Sequence, residues 1–288
     1  MTDSLDNDPK TIQQSGSSHR SRWQRFSPSM GWRAFWSEII IVVLGVAIAL
    51  AANEAVNAWN WRNKVKDAEA RLQVDITWVF LWSAEKTVSQ PCVDAQLAAM
   101  SRRVLESGEM LSPMTVYTTL GREQVVRMPT RPWRFPVWEA LLADGTASHF
   151  PAQLQAVLGG ISHDMTRARA YEAETRALGG NLLLMRDPIA LDPVVRAELL
   201  TRINTLRSLW QHERLYARQL LRLIADAGNA PPEAVVERFL NADGKRSVGN
   251  DHSGMPHFCT TNGLPLADWR DYRELSANVG APVEGNAK

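Results

Sequence analysis

Apolar residues run without a break from Ile39 to Ala52, bracketed by Glu38 and Asn53. The run alone is shorter than the roughly 18 to 20 residues of an unambiguous spanning helix. Its flanks extend it, with Phe35, Trp36 and Ser37 before it and Ala55, Val56 and Ala58 after it. Trp32, Trp36, Trp59 and Trp61 bracket the whole as an aromatic belt does at the two faces of a bilayer. At 1.5 Å per residue, Phe35 to Trp59 covers roughly 36 Å, enough to cross a hydrocarbon core of about 30 Å. The pattern predicts a transmembrane helix over 35–59. A cleaved signal peptide is a second reading, since Ala49-Leu50-Ala51 has the small-x-small form of a cleavage site, but the leader before the run is too long for one. A buried helix of a soluble core is a third; it explains the run but not the tryptophans at both ends.

Beyond the run, no Gly or Pro occurs between Val46 and Gln90, so the anchor is expected to continue as one helix until Pro91 stops it. Leu72, Ile76, Val79 and Phe80 fall on one face, while Trp78, Leu81 and Trp82 cover the opposite side. A helix apolar all round is one buried by other helices. A short strand over Ile76–Trp82 is the competing reading, because β-branched and aromatic residues concentrate there. A second helix is expected over Val93–Leu105, ending near Gly108, then a connecting region over Leu111–Pro132 in which Ser112-Pro113 would start a short helix. Trp133, Phe135 and Trp138 read as core, with Gly145 as a stop. Leu154, Val157, Leu158, Ile161, Met165 and Ala168 keep helical spacing within Pro151–Leu178, which Gly179-Gly180 should end. Val195, Leu199, Ile203, Leu206, Trp210, Leu220 and Ile224 do the same within Asp192–Ala227, with Asp192 as N-cap and Pro193 at the first helical position. A short helix over Pro232–Leu240 closes the pattern; Gly, Asn, Pro and Ser dominate after it, with one turn expected around Trp269–Leu275.

The expected fold is therefore mostly α: one N-terminal transmembrane helix that continues into a periplasmic helical bundle. The expected organisation is a disordered basic cytoplasmic tail over 1–31, the transmembrane helix over 35–59, a helical periplasmic domain over 60–243 and an irregular C-terminal segment over 244–288. The roughly 230 residues after Asn57 suffice for one sizeable core or two small ones.

The anchor reads Glu38, a β-branched apolar run, Gly45, then Ile48-Ala49-Leu50, Asn53 and the pair Trp59-Asn60. It resembles the N-terminal segment of a family of uncharacterised bacterial single-pass membrane proteins. In that family the Trp-Asn pair follows closely on the run; here Glu54 to Ala58 displace it by about one helical turn. The resemblance covers only the anchor and its exit. It implies an inner-membrane anchor with a helical domain behind it, and no known reaction.

Positive charge is nearly balanced about the run, with Arg20, Arg22, Arg25 and Arg33 before it and Arg62, Lys64, Lys66 and Arg71 after it. Two features favour a cytoplasmic N-terminus: no acidic residue occurs between Pro9 and Ser37, and long C-terminal domains translocate largely regardless of charge. The two cysteines, Cys92 and Cys259, form a candidate disulfide if the domain is exported, and two unrelated thiols otherwise. Glu38 reads as an interfacial carboxylate, or as one that is paired or protonated if it lies deeper. Gly45, Ala49 and Asn53 form a small-residue stripe that would permit a homodimer through the transmembrane helix. Trp36 and Trp59 complete the candidate anchor residues.

The formal net charge of +1 gives no argument for nucleic acid or for an acidic substrate. The basic tail with Trp23 and Phe26 beside Trp32 and Trp36 is better suited to anionic lipid, so the lipid bilayer is an expected partner, together with an unknown protein. His252, His257 and Cys259 do not match a zinc spacing, and no metal is expected there. Glu139, Asp144 and His149 cluster in sequence near Gly145, but read as solvent-facing residues rather than an acid, base and orienter; His163 and His212 fall off the apolar stripes. No nucleophile-elbow, zincin, P-loop or dinucleotide motif is present, and no catalytic residue or cofactor is expected. The reading that follows is a membrane-anchored interaction or structural domain. Its alternatives are a periplasmic ligand-sensing domain working through a membrane partner and an anchored enzyme with an unrecognised site.

Overall fold

The computed structural model of the protein describes residues 32–117, 123–241 and 254–276. The expected tail over 1–31, with Arg20, Arg22, Trp23, Arg25 and Phe26, lies outside the described residues, as does His252. The chain divides into two compact units, one ending at Ala58 and one beginning at Trp59.

The described part of the first unit is the opening stretch of helix α1 (Trp32–Glu106). The side chains from Phe35 to Ala58 are exposed, apart from a half-buried Ile39. α1 is long and apolar enough there to cross a membrane, and none of its apolar window is buried. Trp32, Phe35 and Trp36 group at its start, the two indoles stacked at 6.0 Å.

In the second unit α1 becomes core. Leu72, Ile76, Val79 and Phe80 are buried, and so are Leu81 and Trp82 on the other side, as a helix surrounded by helices requires. Pro91 does not stop it. The expected helix over Val93–Leu105 is the same helix, which runs through Pro91 to Glu106. An interior proline costs about 3 kcal/mol. Just beyond it Cys92, Val93, Leu97, Met100 and Val104 are all fully buried, and at about 1.5–3 kcal/mol for a fully buried large apolar side chain the packing outweighs that cost. The helix ends where Arg196 reaches across to donate to the carbonyls of Val104, Leu105, Ser107 and Gly108, which satisfies acceptors that a helix end leaves open.

The connecting region holds short strands in place of the expected helix at Ser112-Pro113. β1 (Met110–Leu111) pairs antiparallel with β4 (Ile189–Ala190), and β2 (Val116–Tyr117) with β3 (Glu123–Gln124). Met114 donates its N–H to the Met185 carbonyl at 2.9 Å, an outside partner that an incipient helix would have lacked. α2 (Pro136–Ala143) buries Trp138 and Leu141, and Gly145 after it takes φ +77°, the left-handed conformation that glycine adopts without penalty.

α3 (Ala152–Asn181) runs through Gly179-Gly180 rather than ending at them. Neither glycine has a positive φ, and Leu182 and Met185 beyond them are buried in a 3-10 turn over Leu182–Arg186. α4 (Pro193–Asp226) starts as its sequence predicts: the Asp192 carboxylate accepts from the N–H groups of Val194 and Val195, both at 2.8 Å. Replacing Asp192 with alanine is expected to cost about 1 kcal/mol, read as a lower urea midpoint at unchanged slope; an unmoved midpoint would remove the cap from this account. α5 (Glu233–Leu240) follows.

The segment expected to be irregular over 244–288 contains α6 (Gly254–Thr261), and the turn expected around Trp269–Leu275 is a 3-10 helix over Trp269–Ser276. Both hold because they bury anchors: Met255, Phe258 and Cys259 in one, Trp269 and Tyr272 in the other, the latter pair edge-on to Phe80 at 5.9 and 6.2 Å. The short strand considered for Ile76–Trp82 is helix. The second unit is thus mostly α, built on α1, α3 and α4. α1 and α3 run from one apolar cluster to the other in the same direction, and α4 runs back.

Candidate functional site

The two apolar clusters do not merge. The first takes Ala68–Val88 of α1, Leu158–Ala168 of α3 and Leu220–Ile224 of α4; the second takes Cys92–Val104, Leu182 and Leu199–Trp210. Between them each of the three helices contributes charged or hydroxyl side chains, and these are buried: Glu85, Lys86 and Ser89 from α1, Glu172 and Thr175 from α3, Glu213 from α4.

Lys86 is the centre of this layer and is 1% exposed. Its ammonium is hydrogen-bonded to Glu213, lies 3.3 Å from Glu172 Oε2 and sits 4.8 Å above the Trp210 ring. Glu213, fully buried, also accepts from Thr175 Oγ1 at 2.5 Å. Glu172 collects donors on both oxygens: Trp133 Nε1 at 2.7 Å on Oε2, and the Arg131 N–H at 2.9 Å and Arg176 Nη2 at 3.1 Å on Oε1. Glu85 holds the Arg131 guanidinium side-on, at 2.6 and 2.9 Å, the fork geometry that makes arginine–carboxylate pairs strong. Taking such ions out of water costs several kcal/mol each, and only this degree of mutual pairing offsets it.

One backbone is strained here. Trp133 has φ +40°, which a bulky residue rarely adopts. It is fixed from both ends: its indole donates to Glu172, and its carbonyl accepts from Arg169 Nε at 3.1 Å and Nη2 at 2.6 Å. Above it opens a cleft of about 390 Å³ lined by Arg131, Arg134, Arg169, Arg176, Glu172 and Trp133.

The residues singled out from sequence stand elsewhere. Trp36, Glu38, Gly45, Ala49, Asn53 and Trp59 are exposed along α1, and a Cβ at Gly45 would meet nothing within 4 Å. Cys92 and Cys259 are bonded to each other, joining α1 to α6, with both residues fully buried. Glu139, Asp144 and His149 do not meet and go to separate partners. Thr146 and Lys64 hold the Asp144 carboxyl down at about 2, His149 stacks on Trp61 at 3.8 Å, and Glu139 faces Arg169 at 3.9 Å. His163, His212 and His257 are exposed, His212 stacked on Tyr171. Among the described residues no group of three histidine, cysteine or acidic side chains is placed to hold a metal ion.

The ion layer was missed from sequence, although a signal for it exists. Glu213 sits three residues after Trp210 and four before Ala217, and Glu172 four after Ala168, so both carboxylates occupy positions on their helices' apolar stripes. The chain matches no protein-family model, no curated protein and no solved structure.

Proposed function

We propose that this chain is a membrane-anchored helical module with an interaction or structural role toward a protein partner. Residues 35–59 span a bacterial inner membrane in this reading, with the N-terminus in the cytoplasm and the helical domain in the periplasm. The observation that carries it is the exposure of α1 between Ile40 and Leu50, where Ile40, Ile41, Leu44, Ile48 and Leu50 are all more than half exposed. Burial of each is worth about 1.5–3 kcal/mol, and soluble monomers rarely leave so contiguous a surface in water.

Three further observations support it. The aromatic residues at both ends suit the bilayer interfaces, the stretch before the anchor lacks acidic residues back to Pro9, and the Cys92–Cys259 bond suits an oxidising compartment. Resemblance of the anchor to that of the bacterial single-pass family agrees. Self-association through Gly45, Ala49 and Asn53 belongs to the same proposal. The arginine-lined cleft favours a second reading, a ligand-sensing domain that works through a membrane partner.

The test is extraction and topology. The full chain is expected to stay with membranes in alkaline carbonate, and a reporter active only in the periplasm, fused after Lys288, is expected to be on. Release into the supernatant would remove the anchor; a silent periplasmic fusion with an active cytoplasmic one would reverse the orientation.

A further inference from the structure

We infer that the cleft over Glu172 is a binding site for a small molecule carrying one carboxylate or phosphate group. The inference stands whether or not the chain is anchored or signals.

Among the described residues, Lys86, Arg131, Arg169 and Arg176 pair with Glu85, Glu139, Glu172 and Glu213 while Arg134 pairs with none of them, so these nine side chains carry one positive charge in surplus. The surplus is not spread evenly. Arg131 is paired side-on with Glu85, and Lys86 is enclosed by Glu172 and Glu213. Arg169 directs its guanidinium to a neutral carbonyl, that of Trp133, with Glu139 no closer than 3.9 Å. Arg134 is exposed and has no hydrogen-bond or ion-pair partner among the described residues. The unmatched charge therefore lies at the cleft's open side, on Arg134 and Arg169.

The shape supports the same conclusion. A volume of about 390 Å³ is within the range of small-molecule sites. Its floor is buried protein, Trp133 and Glu172 at 0% and 2% exposure, and a guanidinium next to such a floor attracts an anion more strongly than one in bulk water. Planar guanidinium forks match carboxylate and phosphate oxygens two at a time. Glu172 is not free for Arg134 or Arg169, since Trp133 and Lys86 occupy its Oε2 and the Arg131 N–H and Arg176 its Oε1. Trp133, whose φ is +40°, has its indole on Glu172 while the next residue, Arg134, lines the cleft, and strain of this kind collects at ligand sites.

The experiment uses the full chain in a neutral detergent, titrated calorimetrically with inorganic phosphate and with acetate against sodium chloride of equal ionic strength. At least one of the two ions is expected to bind saturably at one per chain, with a Kd of about 1 mM or tighter. Arg134→Ala is expected to weaken that binding about 10-fold at an unchanged melting temperature, and Arg134→Lys, which keeps the charge but loses the fork, to weaken it as well. Arg102→Ala, an exposed arginine outside the cleft, should bind as the parent does. No saturable binding of either ion below about 10 mM, or equal binding by Arg134→Ala and its parent, overturns the inference. Repeating the phosphate titration in nanodiscs with and without phosphatidylglycerol assigns the source: competition by that lipid identifies a headgroup as occupant, and its absence a soluble anion.

Discussion

Lys86→Ala is expected to destabilise the helical domain by about 3–5 kcal/mol, the usual cost of leaving a buried carboxylate without its cation. Truncating a lysine on a protein surface changes stability by only about 0.2–1 kcal/mol. The difference arises because Lys86 is 1% exposed and serves two carboxylates, of which Glu213 is fully buried and retains only the Thr175 hydroxyl when the ammonium is gone. Glu172 suffers less, since Trp133, Arg131 and Arg176 still donate to it. Urea unfolding reads the loss directly as a fall in midpoint. The partner experiment is Lys86→Met with Glu213→Gln, which removes both charges, keeps the volumes close and leaves Thr175 an amide oxygen; it is expected to recover most of the loss. A Lys86→Ala variant within 0.5 kcal/mol of its parent would mean that water reaches the layer.

Removing the bond between Cys92 and Cys259 is expected to cost about 2–5 kcal/mol. The two residues are 167 apart in sequence, so the bond closes a loop over more than half of the chain, and the chain-entropy account puts a loop of that size near 5 kcal/mol. The bond also fastens α6, a helix of 8 residues, to α1 at the edge of the second apolar cluster. Alanine at both positions is the cleaner variant, because serine would bury a hydroxyl. Reductant is expected to lower the melting temperature of the parent and to leave the double alanine variant unmoved. Both thiols should resist alkylation in the denatured, unreduced protein; free labelling there would abolish the bond and with it one support for an exported domain.

Where the sequence was legible, a single local rule acted alone. The apolar spacing from Val195 to Ile224 and the Asp-Pro start define α4 almost to the residue, and the Gly-free stretch after the apolar run carries α1 far beyond it. Where two rules competed, the weaker signal in sequence won in space. Pro91 reads as a stop, yet five fully buried side chains beyond it hold the helix together. Gly179-Gly180 reads as an end, yet Leu182 and Met185 pull the turn onto the core. α6 has too few residues to show a period, and what its Met255, Phe258 and Cys259 pack against, Cys92 included, lies far away in the chain.

The ion layer was the least legible part. A carboxylate on a helix reads as a solvent-facing residue unless its cation is known, and Lys86, Glu172 and Glu213 come from three separate helices. The same holds for the cleft above it. Arg131, Arg134, Arg169 and Arg176 look like scattered surface charge until α3 and the Trp133 turn bring them to one opening.

The layer also answers a question of alignment that apolar packing leaves open. Leucines and isoleucines on α4 would accept α1 and α3 in more than one register, because one apolar contact replaces another when a helix slides by a turn, about 5.4 Å. A slide of that size would bring Leu209 or Ala217 to the height of Glu213. Lys86 would then face a hydrocarbon side chain and Glu213 would be stranded among others, each at a cost of several kcal/mol. Three charges at a single height thus act as a pin through the bundle, and they leave the helices one alignment in which every ion has its counterpart.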